Sequence, residues 1–166
     1  EVGESTLGGR DIWLDENIGR LNTDKQGRYL GSFNTDDAIL VVHHDGSYEL
    51  TDFELTNRYK VNEIQIIEKF NSAHTLTAVH FDGGSRNYYV KRFHIETTTT
   101  GKRFGFISED RGSKLVLISV GDNPLLEFNY RTKRGEKKTR KENLVDFVEI
   151  KGWKALGNKL GNYLRM

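Results

Sequence analysis

The side chains with chemistry to offer in this sequence are cations. Lys91 and Arg92 sit together, as do Lys102 and Arg103, and Arg111 and Lys114 follow within twelve residues. Arg20 and Arg28 lie near the start, and Lys151, Lys154 and Lys159 near the end. A nucleic-acid duplex presents phosphates at fixed spacing, so a row of such cations collects several at once and gains affinity from released counterions. Contacts of that kind position a duplex without reading its sequence. The net charge of +1 hides a segregation. Residues 1–85 hold 7 Lys/Arg against 15 Asp/Glu, a balance of −8, whereas residues 86–166 hold 18 against 9, a balance of +9. Such asymmetry points to a polyanion-binding side. The plainer alternative is two differently charged halves that neutralise each other.

Other chemistries are poorly supplied. With no cysteine there is neither a disulfide nor a thiolate metal site, which fits a reducing cytosol. His43 and His44 are neighbours, and successive strand residues point to opposite faces, so they do not converge on a metal. His43 and His80 read instead as satisfied histidines of a β layer. No serine–histidine–acid spacing, phosphate loop or zinc pattern is visible, and no acid pair or nucleophile supports a hydrolase. No metal or cofactor is expected in this domain. No apolar run approaches the length that spans a bilayer, and no secretory leader is evident. Because the chain opens on Glu1 rather than Met, it reads as an excised piece or a processed product.

The elements that must position the cations come from a repeat. Phe33, Ile39, His43 and Gly46 recur 37 residues later as Phe70, Leu76, His80 and Gly83, and beyond the turn the offset becomes 40, from Tyr48 to Tyr88 and Phe53 to Phe93. Each copy spells an apolar strand, a glycine turn and a second strand. The run Ile39–Val42 is short, β-branched and closed by Asp45-Gly46, which predicts a strand buried on both faces. Alternation from Tyr48 predicts a half-exposed partner strand. A hairpin repeat of this length marks a propeller-like array.

In chain order, residues 1–10 read as a linker and residues 11–166 as one all-β domain, or as the later blades of a larger one. Asp11–Asp15 and Ile18–Leu21 form a first hairpin, and Tyr29–Phe33, Ile64–Glu68, Phe104–Ile107 and Leu144–Ile150 read as lead strands, each opening the next unit. Leu115–Val120 is then the first strand of a third hairpin, with its turn at Gly121–Pro124 and its return over Leu125–Tyr130. Arg131–Asn143 carries seven basic and two acidic residues and no apolar one, so it is expected to be a solvated loop. No segment shows helical periodicity over ten residues. The sum is about four hairpin units, none of which can bury its apolar face alone.

Every candidate has a plain structural reading beside the functional one. Lys91 and Arg92 replace Thr51 and Asp52 of the first copy, either as the start of a basic rim or as the solvent side of a half-buried strand. Lys102, Arg103, Arg111 and Lys114 are rim cations or ordinary turn charges. Arg20 and Arg28 are surrounded by acids. Lys133, Arg134, Lys137, Lys138, Arg140 and Lys141 trail along phosphates or are simply solvated. Around Lys151, Lys154 and Lys159, Gly152 and Gly157 admit close approach of a phosphate to backbone amides, or serve tight turns. Trp13 and Trp153 read as core residues, since duplex binding needs no stacking platform.

Several stretches together resemble a known family. Gly3–Arg10, Ile12-Trp13 with Arg20-Leu21-Asn22, Tyr88–Phe93 with Ile95-Glu96, and Lys151-Gly152 with Gly157-Asn158 are similar to the C-terminal region of the A subunit of bacterial type IIA topoisomerases, in a form like that of the Bacteroidetes. The resemblance covers nearly the whole chain. It implies a β-pinwheel, a propeller-like disc whose blades exchange strands and whose basic outer rim binds and bends or wraps duplex DNA for the strand-passage gate. It implies a non-catalytic piece of an ATP-dependent enzyme, with ATP and Mg used by other domains. The implied partners are duplex DNA, the rest of the A subunit and the ATPase B subunit, in the cytoplasm at the nucleoid. Gyrases of this family carry a Gln-(Arg/Lys)-Arg-Gly-Gly-Lys-Gly string that this sequence lacks, so the resemblance favours bending of the topoisomerase IV kind over chiral wrapping. The alternative is a propeller-like interaction module whose acidic first half docks another subunit or a chromosome partner.

Overall fold

The computed structural model describes residues 9–121, 125–131, 137–143, 150, 156–161 and 164–165. Among the described residues the architecture is all-β, with one 3₁₀ turn over Val61–Glu63. Contacts divide the chain into two compact units. The first comprises Glu1–Asn71 and Thr98–Phe104, the second Ser72–Thr97 and Gly105–Met166.

The first unit opens with strands β1 (Arg10–Asp15), β2 (Arg20–Asn22) and β3 (Arg28–Phe33) in the order β2-β1-β3. The predicted first hairpin is therefore present. Next come β4 (Ile39–His43), β5 (Ser47–Thr51), β6 (Ile64–Lys69) and the short β9 (Phe104–Gly105), in the order β6-β4-β5-β9. All five residues of β4 are buried, as its uninterrupted apolar run predicts. Each fully buried Ile, Leu or Val there stabilises the fold by about 1.5–3 kcal/mol. The turn after β4 follows from two residues. Gly46 adopts φ +84°, a left-handed value that costs glycine nothing, and the Asp45 carboxylate accepts the Ser47 amide at 3.0 Å. Ile12, Leu14, Leu21, Phe33, Ile39, Val41 and Ile67 form one core in this unit.

The second unit repeats the plan. Strands β7 (Leu76–Asp82), β8 (Asn87–Phe93), β10 (Lys114–Val120) and β13 (Asn158–Gly161) take the order β10-β7-β8-β13. A further sheet has the order β12-β11-β14, from β11 (Leu125–Arg131), β12 (Lys137–Asn143) and β14 (Leu164–Arg165). In every sheet the first hairpin strand is central, with its hairpin partner on one side and an outer strand on the other.

Three sequence expectations change. The strands read as leading into the next hairpin pair with the preceding one: β3 lies against β1 and β6 against β4. Leu115–Val120 is accordingly the outer strand of the second repeat, with Val120 opposite Leu76, and the third hairpin is β11–β12. A period measured along the chain is the same whichever hairpin an intervening strand bonds to, so the offsets could not decide this. The basic run expected as a loop contains a strand, since Lys137–Asn143 pairs with Leu125–Arg131 from Arg131↔Lys137 to Leu125↔Asn143. Finally, the second hairpin strands are more buried than half-exposed alternation predicts. In β8, Tyr89–Phe93 are all buried. The final lead strand over 144–149 and the turn at 122–124 lie outside the described residues.

Gly83 shows how tightly β10's approach is packed against the β7–β8 turn. A Cβ there would collide with the Arg111 carbonyl, and Asp82 organises the same turn by accepting from the Ser85 amide at 3.0 Å and the Ser85 hydroxyl at 2.7 Å. Gly83→Ala is expected to destabilise the protein by about 1–3 kcal/mol, because backbone must move. Gly84→Ala should cost less, since the side chain in its way is the Asp110 carboxylate, which can swing aside. Urea midpoints of the two variants check the ranking.

Candidate nucleic-acid interface

The structure sorts the candidate cations into three groups. Lys91 and Arg92 form the first, and they do not lie on a rim: they are 2% and 7% exposed. Expecting them on the solvent side rested on alternation, and β8 lies between β7 and β13 inside its sheet with most of its residues buried. Lys91 Nζ donates to the Phe106 carbonyl and lies 5.4 Å from the Phe93 ring centre and 5.6 Å from that of Phe106. Its aliphatic stem fills core space while its one polar atom satisfies a carbonyl. Burial brings the Lys91 ammonium down to about 8. Arg92 forms a parallel bridge with Ile150 through its backbone.

The second group is engaged with acids, carbonyls or rings of the first unit. Arg28 Nε lies 3.5 Å from Glu16, and its Nη2 donates to the Ile67 carbonyl at 2.6 Å, tying β3 to β6. Lys69 ties the same strands in the other direction, donating to the Ser32 carbonyl at 2.7 Å. Arg103 lies 3.6 Å from Glu49 and 3.9 Å from Asp45. Lys102 Nζ sits 5.4 Å from the Phe104 ring centre. Arg20 stands apart from these: it is half-buried, only its backbone bridges Arg58, and its buried Nε has no hydrogen-bond partner among the described residues.

The third group lies in the second unit, where Arg111, Lys114 and Lys159 are exposed with no described carboxylate paired to them. Arg111 and Lys114 flank the start of β10, and Lys159 lies on β13, at the other side of the same sheet. Lys137, Lys138, Arg140 and Lys141 follow one another along β12, which ends the order β12-β11-β14. Lys133, Arg134, Lys151, Lys154, Gly152 and Trp153 lie outside the described residues. Gly157 serves packing: a Cβ there would come 2.5 Å from the Val90 carbonyl oxygen and 2.7 Å from Lys91 Cβ.

The histidines are placed individually. His43 Nε2 lies 2.7 Å from Glu49, while His44 is exposed. His80 Nε2 donates to the Leu156 carbonyl at 2.8 Å and stacks on Tyr89, and burial lowers its pKa. Among the described residues no cluster of three metal-ligating side chains occurs. No described helix is long and apolar enough to cross a membrane.

Two features escaped the sequence reading. Arg58 and Lys60 line a cavity of about 460 Å³ with His43, Glu49, Tyr59 and Arg103. Their alternation in Arg58-Tyr59-Lys60 was the available signal, but they lie in a connector rather than in a repeat position. Trp13, read as core, lies half-buried with its ring centre 5.0 Å from that of Tyr29, which is 52% exposed. The buried residues of β1 are Ile12 and Leu14, so Trp13 falls on the opposite face of the strand.

An all-β array of small antiparallel hairpin sheets is the fold of a topoisomerase C-terminal pinwheel. The structure is similar to the one described as "Crystal structure of the C-terminal domain of DNA topoisomerase IV", with a TM-score of 0.58 and 16% identity over 90% of this chain and 55% of that chain. The present chain thus spans about half the length of that solved structure. No curated protein matches it in sequence. The chain belongs to the family described as "Topoisomerase C-terminal domain, Bacteroidota", whose model matches residues 20–164.

The buried Lys91 ammonium has a measurable consequence. The unfolded chain keeps this proton up to about 10.5, the folded chain only to about 8, so between these values the unfolded state binds more protons. Stability contributed by Lys91 therefore rises with pH across that window, by on the order of 1–3 kcal/mol. Thermal unfolding followed from about pH 8 to about pH 10 should show this gain. It should be missing in Lys91→Met, which keeps the contact with Phe93 and Phe106 but cannot titrate.

Proposed function

We propose that this chain is the DNA-binding part of a type IIA topoisomerase A subunit, and that it holds duplex DNA through the cations of its second unit. The observation that carries the reading is β12. A run of four cations in five residues, Lys137 to Lys141, is held as a strand in register with β11. An extended strand advances about 3.4 Å per residue, so cations two residues apart recur about every 6.8 Å. Duplex phosphates recur at about 3.4 Å of axial rise per strand, half that interval. A strand held straight meets a duplex with less conformational entropy to lose than a loop would. Arg111, Lys114 and Lys159 add to it from the neighbouring sheet of the same unit. Lys102, Arg103 and Arg28 contribute little, because acids, rings or carbonyls of their own unit already engage them, and Arg20 contributes little because it is half-buried. Lys91 and Arg92 act from inside, as supports of β8. Lys151 and Lys154 join the interface as glycine-flanked cations.

Bending a duplex of 20–30 base pairs costs on the order of 1–6 kcal/mol, so several phosphate contacts must act together. The chain adds geometry and charge to an enzyme whose ATP-dependent strand passage, with Mg, is carried by other domains and by the ATPase B subunit. Lacking the basic glycine-rich string of gyrases, it bends DNA in the manner of topoisomerase IV. It works in the cytoplasm, on nucleoid DNA.

Gel shifts of duplexes across a salt series test this. Binding should be indifferent to sequence and weaken steeply with salt, by about 0.9 log units per log unit of salt for each phosphate contact. Replacing Lys137, Lys138, Arg140 and Lys141 by Gln should flatten that slope, while Arg28→Ala and Arg103→Ala should leave affinity within about two-fold. Absence of binding at low salt would sink the reading. Ligation of nicked circles with the protein bound separates the two modes, since bending alone leaves linking number unchanged.

A further inference from the structure

The first unit carries a partly exposed aromatic pair with a carboxylate fixed against it. Trp13 on β1 faces Tyr29 on β3 in register, with ring centres 5.0 Å apart and planes tilted by 49°. Tyr29 is 52% exposed although it lies in a sheet whose other face is packed into the core. Its hydroxyl donates to Asp11 Oδ1 at 2.8 Å, which holds both the ring and the carboxylate in place. Asp11 is exposed, and Oδ2 takes part in no described hydrogen bond or ion pair. Asp15 lies four residues along the same strand face, opposite Arg20. Ile18, in the turn that joins β1 to β2, is 65% exposed and adds apolar area beyond Asp15.

This arrangement has little to offer a duplex, because carboxylates repel phosphates. It has the parts that recognise a guanidinium. An aromatic face attracts a cation, and more strongly as water is excluded. A carboxylate at its rim accepts the planar N–H fork. Arginine uses both at once, whereas lysine's compact, strongly hydrated ammonium gains less from the ring. Charge also selects the partner, since the first unit, residues 1–71 and 98–104, holds 14 Asp/Glu against 9 Lys/Arg, a balance of −5. We infer that the outer face of β1–β3, around Asp11, Trp13 and Tyr29, is a docking surface for an arginine-bearing segment of a partner protein. The site is separate in its residues from the cations assigned to DNA, and it stands or falls independently of that assignment.

Titration of the 166-residue chain with a twelve-residue Gly-Arg repeat peptide, followed by calorimetry, tests the inference. A Gly-Lys peptide of equal charge and a Gly-Ser peptide serve as comparisons. The arginine peptide is expected to bind at least about five-fold more tightly than the lysine peptide, consistent with a contribution of about 1 kcal/mol from the ring. Tyr29→Ala and Asp11→Asn should each weaken it about ten-fold, while Asp24→Asn, an exposed acid in the loop after β2, should leave it unchanged. Circular dichroism verifies that the variants remain folded, and unchanged gel shifts verify that DNA binding is untouched. Equal affinity for both basic peptides, or an equal effect of Asp24→Asn, would mean diffuse attraction and overturn the proposal. If light scattering instead finds a dimer that Tyr29→Ala splits, the occupant is a second copy of the chain and the partner assigned here is wrong.

Discussion

A buried β-hairpin has two edges, and every N–H and C=O along them must find a partner. That requirement governs both repeats. The β4–β5 hairpin is closed by β6 on one side and β9 on the other, and the β7–β8 hairpin by β10 and β13. The outer strand follows its hairpin closely, but the covering strand comes from far along the chain. Gly101 donates its amide to the Leu50 carbonyl, and Leu50 bridges Thr100 in parallel. In the second repeat, Asn158 and Lys159 pair with Val90 and Tyr89, and Ile150 bridges Arg92. Open edges invite pairing with other chains. Exchange of strands along the sequence solves the problem without a closed barrel, and it is why the hairpin strands can be apolar on both faces.

The same accounting decides which cations are available to a ligand. Arg28, Lys69 and Lys91 donate to backbone carbonyls of Ile67, Ser32 and Phe106. Each satisfies an acceptor that the strand ladders leave over. Arg103 is drawn toward Glu49, which also holds His43. The described cations of the second unit that remain exposed include Arg111, Lys114 and Lys159. Clusters of positive charge in the sequence therefore overstate the surface charge, in the first unit through Arg28 and Arg103 and in the second through Lys91 and Arg92.

Much of this was legible from residue types. The 37- and 40-residue offsets, the apolar run Ile39–Val42 and the Asp45-Gly46 turn led to the hairpins, and the family resemblance led to the fold. Partner choice was not legible, because the repeat offset is the same whichever hairpin β6 or β10 bonds to, and in sequence each lies nearer the hairpin it does not join. Nor was the fate of Lys91, since a lysine on a strand reads as solvent-facing until Phe93 and Phe106 are seen to enclose it. Trp13 misled for the opposite reason. A tryptophan beside two buried aliphatic residues reads as core, yet the pleat turns it away from Ile12 and Leu14. The strand within Arg131–Asn143 was hidden because its composition is that of a solvated loop, and only pairing with the apolar β11 makes it a strand.

The distance to the covering strands also sets an order of assembly on the ribosome. The sheet built on β4 has all its strands once residue 105 has emerged, whereas the sheet built on β7 waits for β13 at residues 158–161. At synthesis rates of about 5–20 residues per second, that gap of some 50 residues lasts about 3–10 s. During it the β7–β8 hairpin stands with its β8 edge uncovered and open to misplaced pairing. The contact that ends this interval is small: the His80 ring taking the Leu156 carbonyl, with Gly157 settling against Val90.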